Sequence, residues 1–214
     1  MMNKFTEIKA GRSFLFLLLF VLTSCHHYKP EEYLKKVSVD KAFVKLYKDS
    51  VFNVRCSYLS STFLAITDLQ KNPERMKKIS AVEFESDKKR FENGDYFRIS
   101  MGLNSGQNLL TYNVQGNQDY SKRLFYLNNF ISNDIYIFDQ ESNRQIKPLS
   151  VEFYNNYGMS ATVNFTVVFP RTVYSGNFKL VYEDKLFGFS KAVEFEYNYK
   201  KISSNNYKIL FKNE

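Results

Sequence analysis

Apolar side chains recur at every second position through several stretches of the chain, and this period limits the folds that the chain can adopt. The alternating residues are Phe52, Val54, Cys56 and Tyr58; Phe97, Ile99, Met101 and Leu103; Val163, Phe165, Val167 and Phe169; Phe178, Leu180 and Tyr182; and Val193, Phe195, Tyr197 and Tyr199. Successive side chains of a β-strand point to opposite faces, so the pattern predicts half-buried antiparallel strands. Turn-forming pairs such as Asn93-Gly94 separate these stretches.

The number of such stretches predicts an all-β fold class. About eight strands, with no long helix and no repeat period, are typical of one antiparallel β-sandwich of immunoglobulin-like or transthyretin-like type. One short helix is predicted at residues 72–78. There Asn72 can cap the helix, Pro73 takes its first position and lysines end it.

A hairpin is predicted over residues 134–154. Its arms would be Ile135–Phe138 and Val151–Tyr154, which carry apolar side chains at alternate positions. Pro148 suits the start of a strand or the edge of a sheet, because proline cannot donate to a ladder of backbone hydrogen bonds.

Residues 120–131 fit both a helix and a strand. Tyr120, Leu124, Leu127 and Ile131 would share one helical face, whereas the run from Leu124 to Leu127 also suits a strand. We expect a strand, because the segment runs into the predicted strand at residue 135 with little room for a break.

The N-terminal segment has the organisation of an export signal. Lys4, Lys9 and Arg12 precede an apolar run of nine residues, Phe14 to Leu22. A helix that spans a bilayer needs roughly 20 apolar residues, so this run is too short to do so. Its length matches the apolar region of a signal peptide.

The run ends in Leu22-Thr23-Ser24-Cys25, which resembles the bacterial lipobox at all four positions. The resemblance implies that the Cys25 thiol receives a lipid and that a signal peptidase cleaves the chain just before it. Acyl chains such as palmitate would then anchor the mature protein in a membrane. His26 follows the cysteine, where aspartate favours the inner membrane in this family, so the outer membrane is expected. Both a periplasmic and a surface orientation stay open.

This interpretation divides the chain into three parts. Residues 1–24 form the signal peptide, residues 25–36 a polar lipidated tether, and residues 37–214 a single β-sandwich domain. The stretch from Leu180 to Gly188 and the strand Ala192–Tyr199 also resemble the C-terminal strands of uncharacterised Bacteroidota lipoproteins. That resemblance implies no particular activity.

The charge of the chain is positive but scattered. The formal net charge is +8, and lysine pairs such as Lys77-Lys78 and Lys200-Lys201 are spread along the sequence. No single predicted element carries a basic stripe, so we expect no nucleic-acid partner. A weak preference for anionic lipid head groups is the more natural interpretation.

The residues available for catalysis are few. The two histidines, His26 and His27, precede the predicted fold, which argues against a Ser-His-Asp or Cys-His site within it. If Cys25 is acylated, Cys56 has no disulfide partner. Cys56 shares a strand face with apolar residues, so it is predicted to be a buried core residue. We expect no cofactor and no metal site.

Carboxylates are the remaining candidates for catalysis. Glu83 and Glu85 are predicted to share one strand face, and Glu194 and Glu196 another. Alternate carboxylates on an outward face are usually solvated. Residues 139–143 resemble the start of a calcium loop, but the glycine that such a loop needs is missing, so a hairpin turn is predicted.

Three tyrosines and one serine are candidate interaction or modification sites. Tyr154, Tyr157 and Tyr174 lie in or near predicted loops, where exposed tyrosines often bind partners. Asp49-Ser50-Val51 resembles the three-residue O-glycosylation motif of exported Bacteroidota proteins, which makes Ser50 a candidate site.

These observations favour a non-enzymatic, lipid-anchored envelope protein that binds or assembles with a partner protein or an envelope polymer. One concrete version resembles the outer-membrane lipoprotein of type VI secretion systems, also a small sandwich on a lipid tether. A hydrolase acting on glycans or peptides through carboxylates and a structural coat lipoprotein are the alternatives. An exposed aromatic patch would favour binding, and converging carboxylates would favour the hydrolase.

Overall fold

A computed structural model describes residues 27–155, 159–171, 176–204 and 207–209. The strands are β1 (His27–Tyr28), β2 (Val44–Lys48), β3 (Phe52–Leu59), β4 (Gly94–Leu103), β5 (Ile135–Asp139), β6 (Arg144–Ile146), β7 (Ser150–Tyr154), β8 (Val163–Pro170), β9 (Asn177–Tyr182), β10 (Val193–Asn198) and β11 (Lys208–Ile209). The helices are α1 (Pro30–Val39), α2 (Ser61–Leu69), α3 (Pro73–Lys78), α4 (Ala81–Lys89), α5 (Asn117–Asn129) and α6 (Tyr199–Ser203), and a 3-10 turn spans Ile131–Asp134.

Two antiparallel sheets form the body of the protein. The five-stranded sheet has the order β2-β3-β4-β8-β7, and the four-stranded sheet has the order β10-β9-β5-β6. Strands β1 and β11 pair in parallel beside them. The mostly β, antiparallel architecture predicted from the alternating pattern is therefore confirmed.

The core lies between the two sheets. Phe97 of β4 is fully buried, and its ring centroid lies 6.2 Å from that of Phe178 on β9 and 5.5 Å from that of Tyr197 on β10. The Tyr197 hydroxyl donates a hydrogen bond of 3.0 Å to the carbonyl of Cys56 on β3. The Cys56 side chain is fully buried, as the sequence predicted.

The sheets also meet along one pair of edges. Strands β2 and β10, the outer strands of their sheets, contact each other. At the opposite edge of the five-stranded sheet, β7 contacts α5 and the 3-10 turn. Because neighbouring strands lie about 4.8 Å apart, roughly 19 Å separate β2 from β7 across the sheet.

The expectation of a single short helix was wrong. Helix α3 forms as predicted, and the Asn72 side chain accepts a hydrogen bond from the Arg75 amide. The chain also forms α2, although it contains several β-branched residues. Ser60 caps α2, and the helix buries Ala65, Ile66 and Leu69 in the core, so tertiary packing outweighs its weak intrinsic propensity.

Glu83 and Glu85 lie on helix α4, and the predicted strand face is therefore wrong. The Ser80 hydroxyl accepts a hydrogen bond from the Glu83 amide, while the Glu83 carboxylate accepts one from the Ser80 amide. This reciprocal capping box satisfies backbone groups that a helix start leaves open. Its sequence signature is serine followed three residues later by glutamate, and the chain carries that signature at Ser80 and Glu83.

Residues 120–131, for which a strand was favoured, instead form most of α5 and lead into the 3-10 turn. The helical spacing of the apolar residues decides the outcome, because it places Leu127 and Ile131 in the core. Gly116, with a φ of 85°, precedes the helix. The short 3-10 turn at Ile131–Asp134, four residues long, separates the helix from β5.

The predicted hairpin over residues 134–154 is only partly present. Strand β5 pairs with β6 through the predicted turn at residues 139–143. The second predicted arm lies in β7, which pairs with β8 in the five-stranded sheet. Pro148 lies between β6 and β7, where the chain passes from one sheet to the other.

The packed part of the chain begins within residues 25–36, the segment predicted to be a tether. Helix α1 starts at Pro30, and its Tyr33 and Val37 side chains are buried. The Tyr33 hydroxyl lies 2.8 Å from the hydroxyl of Ser60, next to α2. Within the described residues, no helix is long and apolar enough to cross a membrane.

Candidate functional site

Two aromatic side chains lie side by side on the surface at the C-terminal end of α5. Phe125 is 61% exposed and Phe130 is 43% exposed, and their ring centroids are 5.7 Å apart. Adjacent large apolar side chains on a surface are typical of sites that bind another molecule. We call Phe125 and Phe130 the aromatic pair.

Helix α5 positions the aromatic pair by burying its opposite face. Leu127 is fully buried and faces the core, so Phe125 is turned toward solvent. The helical pattern already leaves Phe125 off the apolar face defined by Leu124 and Leu127. The sequence therefore contained a signal for this site, but the expectation of a strand concealed it.

A network of polar side chains holds the ring of Phe130 in place. The Tyr126 ring packs against Phe130 with centroids 5.9 Å apart, and its hydroxyl donates a hydrogen bond of 2.7 Å to Asp134 Oδ2. Asp134 is fully buried, and Lys185 Nζ donates to its Oδ1 over 2.7 Å. Burial, followed by the bond to Asp134, raises the pKa of Tyr126 to about 12. The tyrosine therefore stays a hydrogen-bond donor at physiological pH.

Arg123 fastens α5 to two loops. Its Nη1 donates hydrogen bonds to the carbonyls of Leu109, Leu110 and Tyr112 at 3.2, 3.1 and 2.7 Å. Its Nη2 donates to the Leu186 carbonyl at 3.3 Å. Desolvation lowers the pKa of this guanidinium, but arginine stays charged in proteins. The helix that carries the aromatic pair is thus tied to the body at several points.

The loop after β9 is organised around Asp184. Its carboxylate accepts hydrogen bonds from the amides of Leu186, Phe187, Gly188 and Phe189 and from the Tyr182 hydroxyl. The Arg123 guanidinium lies 5.2 Å from the centroid of the Phe187 ring in this loop. The loop is therefore a fixed support for α5.

A third apolar side chain lies on the same edge of the molecule. Leu149, just before β7, is 67% exposed. Close by in the chain, Lys147 Nζ donates a hydrogen bond of 3.1 Å to the carbonyl of Asn133, three residues after Phe130. We call Phe125, Phe130 and Leu149 together the aromatic edge.

The tyrosines predicted to bind a partner are only partly described. Tyr154 is exposed at the end of β7, and its hydroxyl lies 3.2 Å from Glu152 Oε2 and 3.0 Å from Thr166 Oγ1. Tyr157, Tyr174 and the predicted lipidation site Cys25 lie outside the described residues.

Ser50, the candidate O-glycosylation residue, is exposed in the turn between β2 and β3. The neighbouring Asp49 carboxylate accepts hydrogen bonds from the amides of Val51 and Phe52 and holds that turn. Desolvation is the largest single influence on the pKa of Asp49 and raises it. The hydrogen bonds together outweigh desolvation, so the pKa of Asp49 is lowered. The Ser50 side chain is accessible to a modifying enzyme.

A polar cleft of about 550 Å³ lies at the opposite edge of the molecule, where β2 meets β10. Its lining residues are Asp40, Lys41, Ala42, Lys45, Asn177, Glu196, Tyr197, Asn198 and Lys201. We call it the β2–β10 cleft. It contains neither Glu83 nor Glu85, and Glu194 forms an ion pair of 2.7 Å with Lys179 on the sheet surface. The four glutamates predicted as candidates therefore do not converge.

The carboxylates of the β2–β10 cleft already have protein partners. Asp40 accepts hydrogen bonds from the Ala42 amide at 2.8 Å and from the Tyr207 hydroxyl at 2.7 Å. Glu196 accepts one from Asn177 Nδ2 at 3.4 Å. These contacts give Asp40 a structural role at the base of the loop before β2.

One more buried carboxylate has a structural explanation. Asp95 is fully buried at the start of β4, and it accepts hydrogen bonds from the Tyr58 hydroxyl at 3.1 Å and from Arg171 Nη1 at 3.0 Å. Burial and the Asp95 charge raise the pKa of Tyr58. The cluster joins β3, β4 and the end of β8, and its charge is balanced internally.

Within the part of the chain that the structure describes, no three histidine, cysteine, aspartate or glutamate side chains are grouped so that they could hold a metal ion. Comparison with protein-family models, with curated proteins and with solved structures finds no match.

Proposed function

We propose that the protein is a lipid-anchored component of the bacterial envelope that binds a partner protein or an envelope polymer without catalysing a reaction. The observation that carries the binding role is the aromatic edge, where Phe125 and Phe130 stay exposed although a buried network holds their helix in place. A preorganised apolar surface binds without a large cost of ordering its own side chains.

The lipid anchor is supported by the resemblance of residues 22–25 to a lipobox and by the basic and apolar segments before it. The acylated residue would be Cys25, and His26 after it favours the outer membrane over the inner membrane. Periplasmic and surface orientations are both compatible with the proposal. An accessory lipoprotein of a secretion system is one concrete form of such a binding role.

The proposed anchor and the aromatic edge lie at opposite edges of the five-stranded sheet. The chain enters the fold at β1, and α1 then contacts β2 at one edge of the five-stranded sheet. The aromatic edge lies beside β7 at the other edge. A protein anchored near β2 would hold its aromatic edge away from the anchor and available to a partner.

We further propose that the domain is a β-sandwich. The contacts of Phe97 with Phe178 and Tyr197 join the inner faces of the two sheets and support this description. An immunoglobulin-like or transthyretin-like type stays a prediction.

Site-specific photo-cross-linking in intact cells tests the binding role. A photoreactive amino acid is placed at Phe125, and the matched control carries it at Val82, an apolar residue of α4 that is 81% exposed. We expect cross-linked material at position 125, as a discrete band for a protein or a broad high-mass smear for a polymer. None is expected at position 82.

A second substitution makes the cross-linking test specific. With the photoreactive residue at position 125, Phe130→Ser should reduce the product severalfold, because it removes the neighbouring ring from the contact surface. No product at position 125, or the same product from position 82, would contradict the proposal. Metabolic labelling with palmitate tests the anchor separately, and labelling that persists in Cys25→Ser would exclude acylation at that residue.

A further inference from the structure

The described chain begins only two residues after the proposed acylated cysteine. Fully extended residues span at most about 3.6 Å each, so His27 lies within about 7 Å of Cys25 whatever path the chain takes. Strand β1 starts at His27 and pairs with β11. This inference rests on the proposed lipid anchor, which would hold β1 at the membrane surface.

Side-chain contacts connect β1 to the β2–β10 cleft. The rings of Tyr28 and Tyr207 meet edge to face with centroids 5.3 Å apart. The Tyr207 hydroxyl donates a hydrogen bond to the carboxylate of Asp40, which lines the cleft. Tyr33 of α1 also packs against Tyr207, with centroids 6.0 Å apart. One ring contact and one hydrogen bond therefore link the first described strand to the cleft.

The β2–β10 cleft presents three lysines, Lys41, Lys45 and Lys201. None of the three forms an ion pair with a carboxylate among the described residues. Lys45 Nζ lies 5.4 Å from the centroid of the Tyr197 ring. Its pKa is lowered first by desolvation and next by the charge of Lys201, while the charges of Glu196 and Asp40 act in the opposite direction.

Several lysines without ion-pair partners close to an anchored chain end are well placed to meet a membrane. The surface of a membrane that contains anionic lipids attracts basic residues within about a Debye length, roughly 8 Å at physiological ionic strength. The two cleft carboxylates, Asp40 and Glu196, accept hydrogen bonds from neighbouring groups of the protein. Three lysines outnumber the two carboxylates among the lining residues, so the cleft keeps a net positive charge that can attract a negatively charged group outside the protein.

We propose that the β2–β10 cleft docks onto the membrane that holds the anchor, with Lys41, Lys45 and Lys201 contacting the phosphates of anionic lipid head groups. In this orientation the edge of the domain formed by β2 and β10 faces the bilayer. The aromatic edge, on the far side of the five-stranded sheet, then points away from the membrane toward a partner.

Lysine modification on vesicles tests this docking. The full acylated chain is bound to vesicles of phosphatidylcholine, with or without phosphatidylglycerol, and treated with a water-soluble amine-reactive reagent. Mass spectrometry of peptides then gives the reaction rate of each lysine. We expect severalfold slower reaction of the three cleft lysines on the anionic vesicles and recovery at high salt. Lys77 and Lys122, exposed on α3 and α5, serve as internal controls and should not change.

The same samples separate failure of the docking from failure of the anchor. Protein that floats with both kinds of vesicle, but whose cleft lysines react equally fast on each, keeps its anchor and overturns the docking. Protein that does not float with either kind lacks the anchor and contradicts the proposed function, and the docking is then decided by the variants without an anchor described next.

Charge-matched variants provide a second measurement. In the Cys25→Ser chain, which cannot be acylated, Lys41, Lys45 and Lys201 are changed together to glutamine. The control set changes Lys71, Lys77 and Lys122 to glutamine and alters the net charge equally. Because each lysine near an anionic surface contributes to binding, the cleft set should lower the preference for anionic over neutral vesicles about a hundredfold. An equal loss in the control set would show attraction by net charge alone and would overturn the proposal.

Discussion

Burial of a side chain changes its chemistry, and Cys56 shows this at the scale of one residue. Its thiol is fully buried on β3, and desolvation raises its pKa to about 12. The thiolate is the reactive form of cysteine, so a raised pKa and a lack of solvent access both suppress the reaction. The alternating sequence pattern predicted the burial, because it placed Cys56 on the same face as Val54 and Tyr58.

We predict that Cys56 resists alkylation by iodoacetamide at mildly alkaline pH while the chain is folded and reacts once urea unfolds it. The measurement is peptide mass spectrometry after timed labelling, with circular dichroism to follow folding. Ser50→Cys is the matched control, because that residue is exposed in a turn and should react at once. Rapid labelling of Cys56 in a chain that retains its native circular dichroism would contradict the buried position.

At the scale of elements, α5 depends on polar groups from distant parts of the chain. Arg123 satisfies carbonyls of the loop before α5 and one carbonyl of the loop after β9. Sequence periodicity shows which face of a helix is apolar, but not which loops a side chain will reach. For that reason the sequence did not indicate that Arg123 is a buried cation with several carbonyl partners.

We predict that Arg123→Met lowers the free energy of unfolding by about 2 to 4 kcal/mol, because it leaves buried carbonyls without a donor. Arg123→Lys should recover only part of this loss, since an ammonium group cannot reproduce the fork of the guanidinium. Urea unfolding followed by circular dichroism gives the values. Lys122→Met on the exposed face of the same helix is the control and should change stability by less than about 0.5 kcal/mol. An equally small effect of Arg123→Met would show that the hydrogen bonds of Arg123 contribute little to the free energy of unfolding.

The elements were predicted with uneven success for a physical reason. Strands β3, β4, β8, β9 and β10 follow directly from alternating apolar residues, because one face of each is buried. Helix α4 lacks a broad apolar stripe and buries only Phe84, so its capping box was the main local signal. Helix α5 has a helical pattern, but the short 3-10 turn that allows it to end before β5 could not be foreseen.

At the scale of the whole molecule, several tyrosine hydroxyls donate hydrogen bonds to carboxylates. Tyr126 donates to Asp134, Tyr136 to Glu183 and Tyr207 to Asp40. Desolvation, followed by the hydrogen bond to the carboxylate, raises the pKa of all three to about 12. In an unfolded chain the tyrosine pKa is about 10. The folded state therefore holds these protons more tightly than the unfolded state does.

We predict that stability declines as the pH rises from about 10 to about 12. A group whose pKa is raised on folding stabilises the folded state fully at pH values below its pKa in the unfolded chain. This stabilisation is lost as the pH rises through its pKa in the folded chain. Urea midpoints measured across this range test the effect, and absorbance of the tyrosinate ion follows the titration. Tyr126→Phe should give a shallower decline, because it removes one titrating group and keeps the ring. Midpoints that do not fall over this interval would contradict the tyrosine contribution.

The sequence by itself determined where the main strands lie, that their alternate residues are buried, and that Cys56 belongs to the core. These properties depend on the local spacing of apolar residues, because successive side chains of a strand point to opposite faces of the sheet. The export signal and the lipid anchor at Cys25 are also predictions of the sequence alone. Only the tertiary structure decided that β7 leaves its hairpin to join the other sheet, that Phe125 and Phe130 meet on the surface, and that the lysines of the β2–β10 cleft lie together. Such features depend on contacts between residues far apart in the chain, like the bond from Tyr197 to Cys56 across 141 positions, and no local pattern specifies them.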